Sequence, residues 1–254
     1  MGLNNCDLGA INMIGIKGHA GSGKTTVANM LKLIIDYYVR TSKIANYDYY
    51  MEYKNFPIND NFVKVYNFAD SLKKELATKL GIPDSIFYDD EAKKDYAYSF
   101  TRRVVFNRKD GFDKTLQPSF VDLHDWLAIC NSAGYPDSHF DYYIPIRLLM
   151  QEYGTEINRG IFGANVWVNK LDEEIRRDNK DVAIIGDVRF INESDYIYKN
   201  KGKCIVVRRG AAKVENVHSS EMVTIALDDI VIDNNKTIKE LFNNVITVFR
   251  NYLI

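Results

Sequence analysis

Eight residues near the start of the chain, Gly18-His19-Ala20-Gly21-Ser22-Gly23-Lys24-Thr25, fit the spacing G-x-x-x-x-G-K-[ST], an arrangement suited to holding a polyphosphate. The three glycines permit backbone angles and close approaches that a Cβ would block, so successive N–H groups can point inward at phosphate oxygens. Lys24 brings a cation to the β- and γ-oxygens and Thr25 brings a hydroxyl to Mg²⁺. Thr26 continues into a helix whose N-terminus adds partial positive charge. The flanks supply the setting that such a loop needs: an apolar run from Ile11 before it, and Val27, Met30, Leu31, Ile34, Ile35 and Tyr38 at helical spacing after it. The chain is expected to bind a nucleoside triphosphate.

Other elements must carry further groups to the same place. Lys43 to Tyr47 can be read as a short strand. Phe62 to Phe68 alternates as a strand and leads into a helix with Leu72, Leu76 and Leu80 on one face, stopped by Gly81-Ile82-Pro83. Asp70 and Lys73 then stand just past the carboxyl end of a strand, where open α/β sheets bind ligands. A helical segment carries Arg147, Gln151, Thr155 and Arg159 toward Gly160 or Gly163, and Trp167, Val168, Leu171 and Ile175 mark another helix. Asp181 to Gly186 is a near-continuous apolar run typical of a central parallel strand, delivering Asp187 and Arg189. Asn192 is positioned to cap the helix that follows. Cys204 to Val207 delivers Arg208 and Arg209, and Asp229 to Asp233 ends at Asn234. Thr237 and Glu240 form a capping box for the last helix. The order of elements predicts an α/β fold with a central parallel sheet flanked by helices.

Composition limits the alternatives. The 254 residues are 46% hydrophobic and 26% charged, an ordinary globular balance, and the net charge of −1 supplies no global field for nucleic acid or an anionic membrane. Cys6, Cys130 and Cys204 are too scattered for a disulfide framework or a zinc site, so a reduced, cytoplasmic setting is expected. No apolar run approaches a membrane span, and the N-terminal residues lack the pattern of a signal peptide. Residues 84–142 have weak periodicity and read as a largely irregular or short-helical insertion, with Arg102 and Arg103 as solvated surface.

A phosphate loop does not by itself name a reaction. Asn169-Lys170-Leu171-Asp172 matches the guanine-reading pattern N-K-x-D, but it lies within an amphipathic helix and no D-x-x-G stands between it and the loop. A GTPase is therefore disfavoured. A kinase needs cations facing the transferred phosphoryl group, and Arg147, Arg159, Arg189, Arg208 and Arg209 stand at helix or strand ends. Asp187 can cap a helix, hold Mg²⁺ through water or orient the attacking oxygen.

Taken together, Gly18 to Thr25, Phe68-Ala69-Asp70-x-Leu72-Lys73, Arg147-x-Leu149-x-Gln151-x-x-Gly154-Thr155-Glu156-x-x-Arg159 with Val166-Trp167-Val168, Asp187-Val188-Arg189-Phe190-x-Asn192-Glu193, and His218-x-Ser220-Glu221 resemble the deoxynucleoside monophosphate kinases of tailed bacteriophages. Many of those relatives have Asp after the loop lysine, where this chain has Thr25.

The resemblance implies a single P-loop nucleoside monophosphate kinase-like domain over residues 1–254, with the 84–142 insertion near the acceptor site and a lid at 208–221. It implies transfer of the ATP γ-phosphate to a deoxynucleoside monophosphate. Residues 18–26, Arg208 and Asn234 would bind ATP, Asn234 lying near adenine. Asp70, Lys73, Arg147, Gln151, Thr155 and Arg159 would line the acceptor site, with Trp167 stacking near the base or packing its helix. Lys24, Asp187, Arg189 and Arg159 would serve catalysis, Thr25 and Asp187 would hold Mg²⁺, and Arg208, Arg209 and His218 would form the lid. Partners would be small molecules, with neither nucleic acid nor membrane; related phage enzymes also suggest a homodimer. The alternatives are a kinase of a non-nucleotide small molecule and a P-loop protein that binds ATP without transferring phosphate.

Overall fold

Apolar runs bounded by glycines and charged residues build the centre of the molecule. In the computed structural model, which describes residues 12–89, 97–103, 139–210 and 225–254, β1 (Met13–Lys17) is buried along its whole length. It lies in a five-stranded parallel sheet with β2 (Val63–Tyr66), β5 (Val182–Val188), β6 (Lys203–Arg208) and β7 (Ile230–Asp233), in the order β2-β5-β1-β6-β7. The pairings Ile14↔Ile184 and Ile16↔Ile205 place β-branched side chains side by side across the sheet.

The chain divides into two compact units, one of Met1–Asp70 with Trp167–Ile254 and the other of Ser71–Val166. The second unit takes in the 84–142 stretch together with the helical residues on either side of it.

In the first unit, α1 (Lys24–Thr41) buries Val27, Met30, Leu31, Ile34 and Ile35 as its spacing predicts. The final helix, α7 (Ile238–Tyr252), buries Leu241, Phe242, Val245 and Phe249 in the same core. Its capping box is formed as expected, with Glu240 N donating to Thr237 Oγ1 at 3.2 Å and Thr237 N to Glu240 Oε2 at 3.1 Å. The helix α5 (Val166–Asp178) holds Asn169 to Asp172 within it, and α6 (Ile191–Lys199) follows β5. Two local expectations are corrected. Lys43 to Tyr47 is no strand: Asn46 caps the short helix α2 (Tyr47–Tyr53), accepting from Tyr49 N at 2.8 Å, and a capped turn outcompetes a run too short for sheet pairing. Asn192 is not the cap of α6 either, since Glu193 reaches back to accept from Phe190 N at 3.0 Å.

In the second unit, α3, which opens at the end of the first (Phe68–Leu80), is followed by a short 3₁₀ turn, Asp84–Phe87. A two-stranded antiparallel pair, β3 (Ala97–Arg103) with β4 (His139–Pro145), begins within the insertion and ends three residues past it. The weak periodicity of that stretch conceals it, and the remainder of 90–138 lies outside the described residues, as do the side chains of Arg102 and Arg103. Next, α4 (Ile146–Gln151) runs into eight residues of wider, π-type helix, Glu152–Arg159, and a last helical turn to Phe162 before Gly163. Gly154 lets this helix lie on α3, because a Cβ there would stand 2.9 Å from Leu72 Cδ2.

A buried charge network that the sequence reading does not anticipate ties β1 to the segment before β7. Lys17, 3% exposed, pairs with the fully enclosed Asp229 at 2.9 Å, and Tyr198 Oη donates to the same carboxylate while accepting from Lys17 Nζ at 3.2 Å. Burial and the hydrogen bond to Asp229 hold the Tyr198 phenol far above its ordinary range, and burial pushes the neighbouring Cys204 thiol up to about 11. Cys204 is therefore an uncharged thiol at neutral pH. Asp229→Asn is expected to cost about 3 kcal/mol of folding stability, because it takes the carboxylate charge away from a buried lysine. Urea unfolding measures this, and an unchanged midpoint would show that the pair contributes nothing.

Candidate active site

Parallel register brings the carboxyl ends of the first unit's strands together. Lys17, the last residue of β1, pairs with Val188 of β5 on one side and Val206 of β6 on the other, while Arg208 pairs with Asp233 of β7. The phosphate loop, Asp187, Arg189, Arg208, Arg209 and Asn234 thus leave the sheet at one edge, as predicted for ligand binding in such folds.

The loop has the backbone its glycines foretell. Gly18, Gly21 and Gly23 have φ of 151°, 73° and 99°, and a Cβ on Gly18 would meet the Val207 carbonyl oxygen at 2.7 Å. Gly23 caps α1, so Lys24 and Thr25 open the helix. Lys24 Nζ is folded over the loop, donating to the carbonyls of Gly18 at 2.7 Å and His19 at 2.8 Å. Ser22 Oγ is buried without a hydrogen-bond partner among the described residues. An orphaned donor beside a lysine and glycine amides is a set that fits phosphate oxygens.

At the end of β5 the pairing with β1 slips by one residue between Gly15 and Lys17, so β5 carries an extra residue at Gly186–Asp187. Asp187 there accepts from Phe68 N at 2.7 Å through one carboxylate oxygen and from Ala69 N at 3.0 Å through the other. It caps the start of α3, one of the roles its sequence allows. The Asp187 carboxylate and the Thr25 hydroxyl are oxygen donors of the kind a hard cation such as Mg²⁺ takes. Asp70, in the first turn of α3, accepts from Asn67 Nδ2 at 2.9 Å. Arg189 is held by its main chain, its N–H donating to Glu193 Oε2 at 2.7 Å. This positioning by Glu193 is missed when only Ser, Thr, Asp and Asn are considered as caps.

Trp167 is 3% exposed, with Lys170 Nζ 4.6 Å from its ring centre. Arg208 and Arg209 are exposed at the end of β6. His218 and most of the 208–221 lid lie outside the described residues. Asn234, half-buried, donates through Nδ2 to the Ser22 carbonyl at 2.7 Å.

Within the second unit, Gln151, Thr155 and Arg159 recur four apart along the helix from Ile146, which puts them on one side of it. Arg159 donates to the Ala164 carbonyl at 2.8 Å, and Lys73 Nζ stands 4.1 Å from the centre of the Tyr88 ring. The π-type turns are stabilised by Asn158, buried, which donates to the Tyr153 carbonyl at 2.8 Å, and by Tyr153 Oη, which donates to Glu75. Such wide turns in helices concentrate at functional positions. The Arg147 side chain lies outside the described residues.

A five-stranded parallel sheet with a phosphate loop after its central strand is the fold of a P-loop kinase. Comparison with known proteins narrows the class. A family model described as deoxynucleotide monophosphate kinase matches residues 121–245, a span that encloses Arg147 to Asn234 but not the phosphate loop. A deoxynucleoside-5'-monophosphate kinase of Escherichia phage T5 is 27% identical over 200 residues, 73% of this chain and 71% of its own length. A protein of Acanthamoeba polyphaga mimivirus, provisionally named a deoxynucleotide monophosphate kinase, is 39% identical over 71 residues, 27% of this chain and 37% of its own. The chain is similar to the deoxynucleotide monophosphate kinases, as its ordered motifs lead one to expect. Among the described residues no helix is long and apolar enough to cross a membrane.

Proposed function

We propose that this protein transfers the γ-phosphate of ATP to a deoxynucleoside monophosphate, giving the deoxynucleoside diphosphate and ADP. The observation that carries this reading is the phosphate loop at the end of the central strand with Arg189 leaving the adjacent strand at the same edge, in a chain similar to the deoxynucleotide monophosphate kinases. Loop amides and Lys24 hold the donor phosphates. Thr25 and Asp187 would hold Mg²⁺, which when bound offsets charge on the phosphate oxygens. Arg189 and Arg159 stabilise charge on the phosphoryl group as it passes, while Asp70, Lys73, Arg147, Gln151 and Thr155 bind and orient the acceptor. Trp167 either stacks near the base or packs its helix, and its burial supports the packing role. In-line transfer needs positioning and electrostatics and no covalent intermediate. The setting that goes with this activity is the cytoplasm, the host's if the protein is viral.

The test is coupled ADP release with ATP and Mg²⁺ against the four deoxynucleoside monophosphates, their ribose forms and a control without acceptor. Release that depends on one or more deoxynucleotides is expected. Equal release in every well would make the protein an ATPase, and none at all would point to another acceptor or to a binding protein.

A further inference from the structure

The amide of Asn234 faces the phosphate loop from behind. Its Nδ2 donates to the Ser22 carbonyl at 2.7 Å, its own N–H donates to the Arg208 carbonyl at 2.7 Å, and a Cβ on Gly23 would lie 2.4 Å from Nδ2. A side chain at Gly23 would thus displace the Asn234 amide from this position, besides meeting the positive φ. The short loop that carries Asn234 is itself braced. Asn235 donates to Asp233 Oδ1 through its backbone at 2.8 Å and to Oδ2 through its amide at 2.9 Å, accepts from Gly210 N, and Asn244 Nδ2 donates to the Asp233 carbonyl at 3.2 Å.

A trans peptide is planar, with its C=O and N–H directed oppositely. Holding the Ser22 carbonyl against Asn234 therefore aims the Gly23 N–H away from Asn234. We infer that Asn234 is a positioning residue that sets the phosphate loop through the Ser22–Gly23 peptide, and that through it Asn234 acts on the donor's phosphates. This rests on the proposed use of the loop as a polyphosphate site.

The experiment is calorimetric binding of tripolyphosphate, ATP and GTP to the full chain and to Asn234→Ala, with KM for ATP and for the deoxynucleotide acceptor measured alongside. Tripolyphosphate has no base. Loss of one neutral hydrogen bond that orders the loop is expected to weaken all three ligands by a similar factor, about tenfold, and to raise KM for ATP but not for the acceptor. Weakened ATP with unchanged tripolyphosphate would place Asn234 at the nucleoside and overturn the inference. Unchanged binding of all three would overturn it as well, and either result would leave the kinase reading standing. Failure of the unaltered protein to bind tripolyphosphate would remove the loop as a phosphate site, and with it both readings. If thermal melting shows Asn234→Ala to be unfolded, Asn234→Leu, which keeps the bulk and lacks the donor, is judged by the same outcomes.

Discussion

Lys24→Ala is expected to lower turnover roughly a thousandfold, about 4 kcal/mol of transition-state stabilisation, and to leave the fold intact. The size follows from the lysine's place. It opens α1 immediately after Gly23 and its ammonium already lies over the loop on the Gly18 and His19 carbonyls. A cation tethered there needs only to exchange carbonyl partners for phosphate oxygens, so it meets developing charge with little reorganisation. Stability should change little, because alanine suits a first helical turn and both carbonyls can accept from water instead. Steady-state kinetics and a melting curve on one preparation check both halves. Turnover close to that of the unaltered enzyme would take Lys24 out of the mechanism, whereas a melting temperature that fell with it would assign the loss to folding.

Arg189→Ala is expected to reduce turnover by a similar factor, roughly a thousandfold, with KM for ATP nearly unchanged. The arginine leaves β5 beside the start of the phosphate loop, since Val188 pairs with Lys17. Its backbone is fixed by Glu193, which accepts from the Arg189 N–H at 2.7 Å and the Phe190 N–H at 3.0 Å. Both bonds use main-chain donors and survive truncation of the side chain, so the chain path into α6 should be retained. Arg189→Lys separates charge from geometry: it keeps the positive charge and loses the planar fork that grips two phosphate oxygens at once. Partial recovery by lysine is expected, and full recovery would show that only the charge matters. An alanine variant with normal turnover would remove Arg189 from phosphoryl transfer.

Local patterns made much of this protein legible before any coordinates. The phosphate loop is eight consecutive residues, and its glycine angles and following helix depend on neighbours only a few positions away. The same holds for the capping box of Thr237 and Glu240, and for the apolar runs of β1, β5 and β6, whose burial is set by their own composition. The antiparallel pair β3–β4 joins residues about forty positions apart with little periodicity in either strand, and its pairing could not be read from the sequence.

For the site, residue types and spacing determined which groups could do chemistry: a lysine and threonine on a glycine loop, arginines after strands, a carboxylate after Gly186. Tertiary structure alone decided what several of them touch. Asp187 could cap a helix or hold a metal, and only folding brings the amides of Phe68 and Ala69, more than a hundred residues earlier, to its two oxygens. Asn234 stood in a loop expected near adenine, and only folding lays its amide on the Ser22 carbonyl across 212 positions. The Lys17–Asp229 pair spans the same separation. Such contacts are geometric coincidences of a sheet whose neighbouring strands are remote in sequence. They leave no period, spacing or local propensity for a linear reading to find.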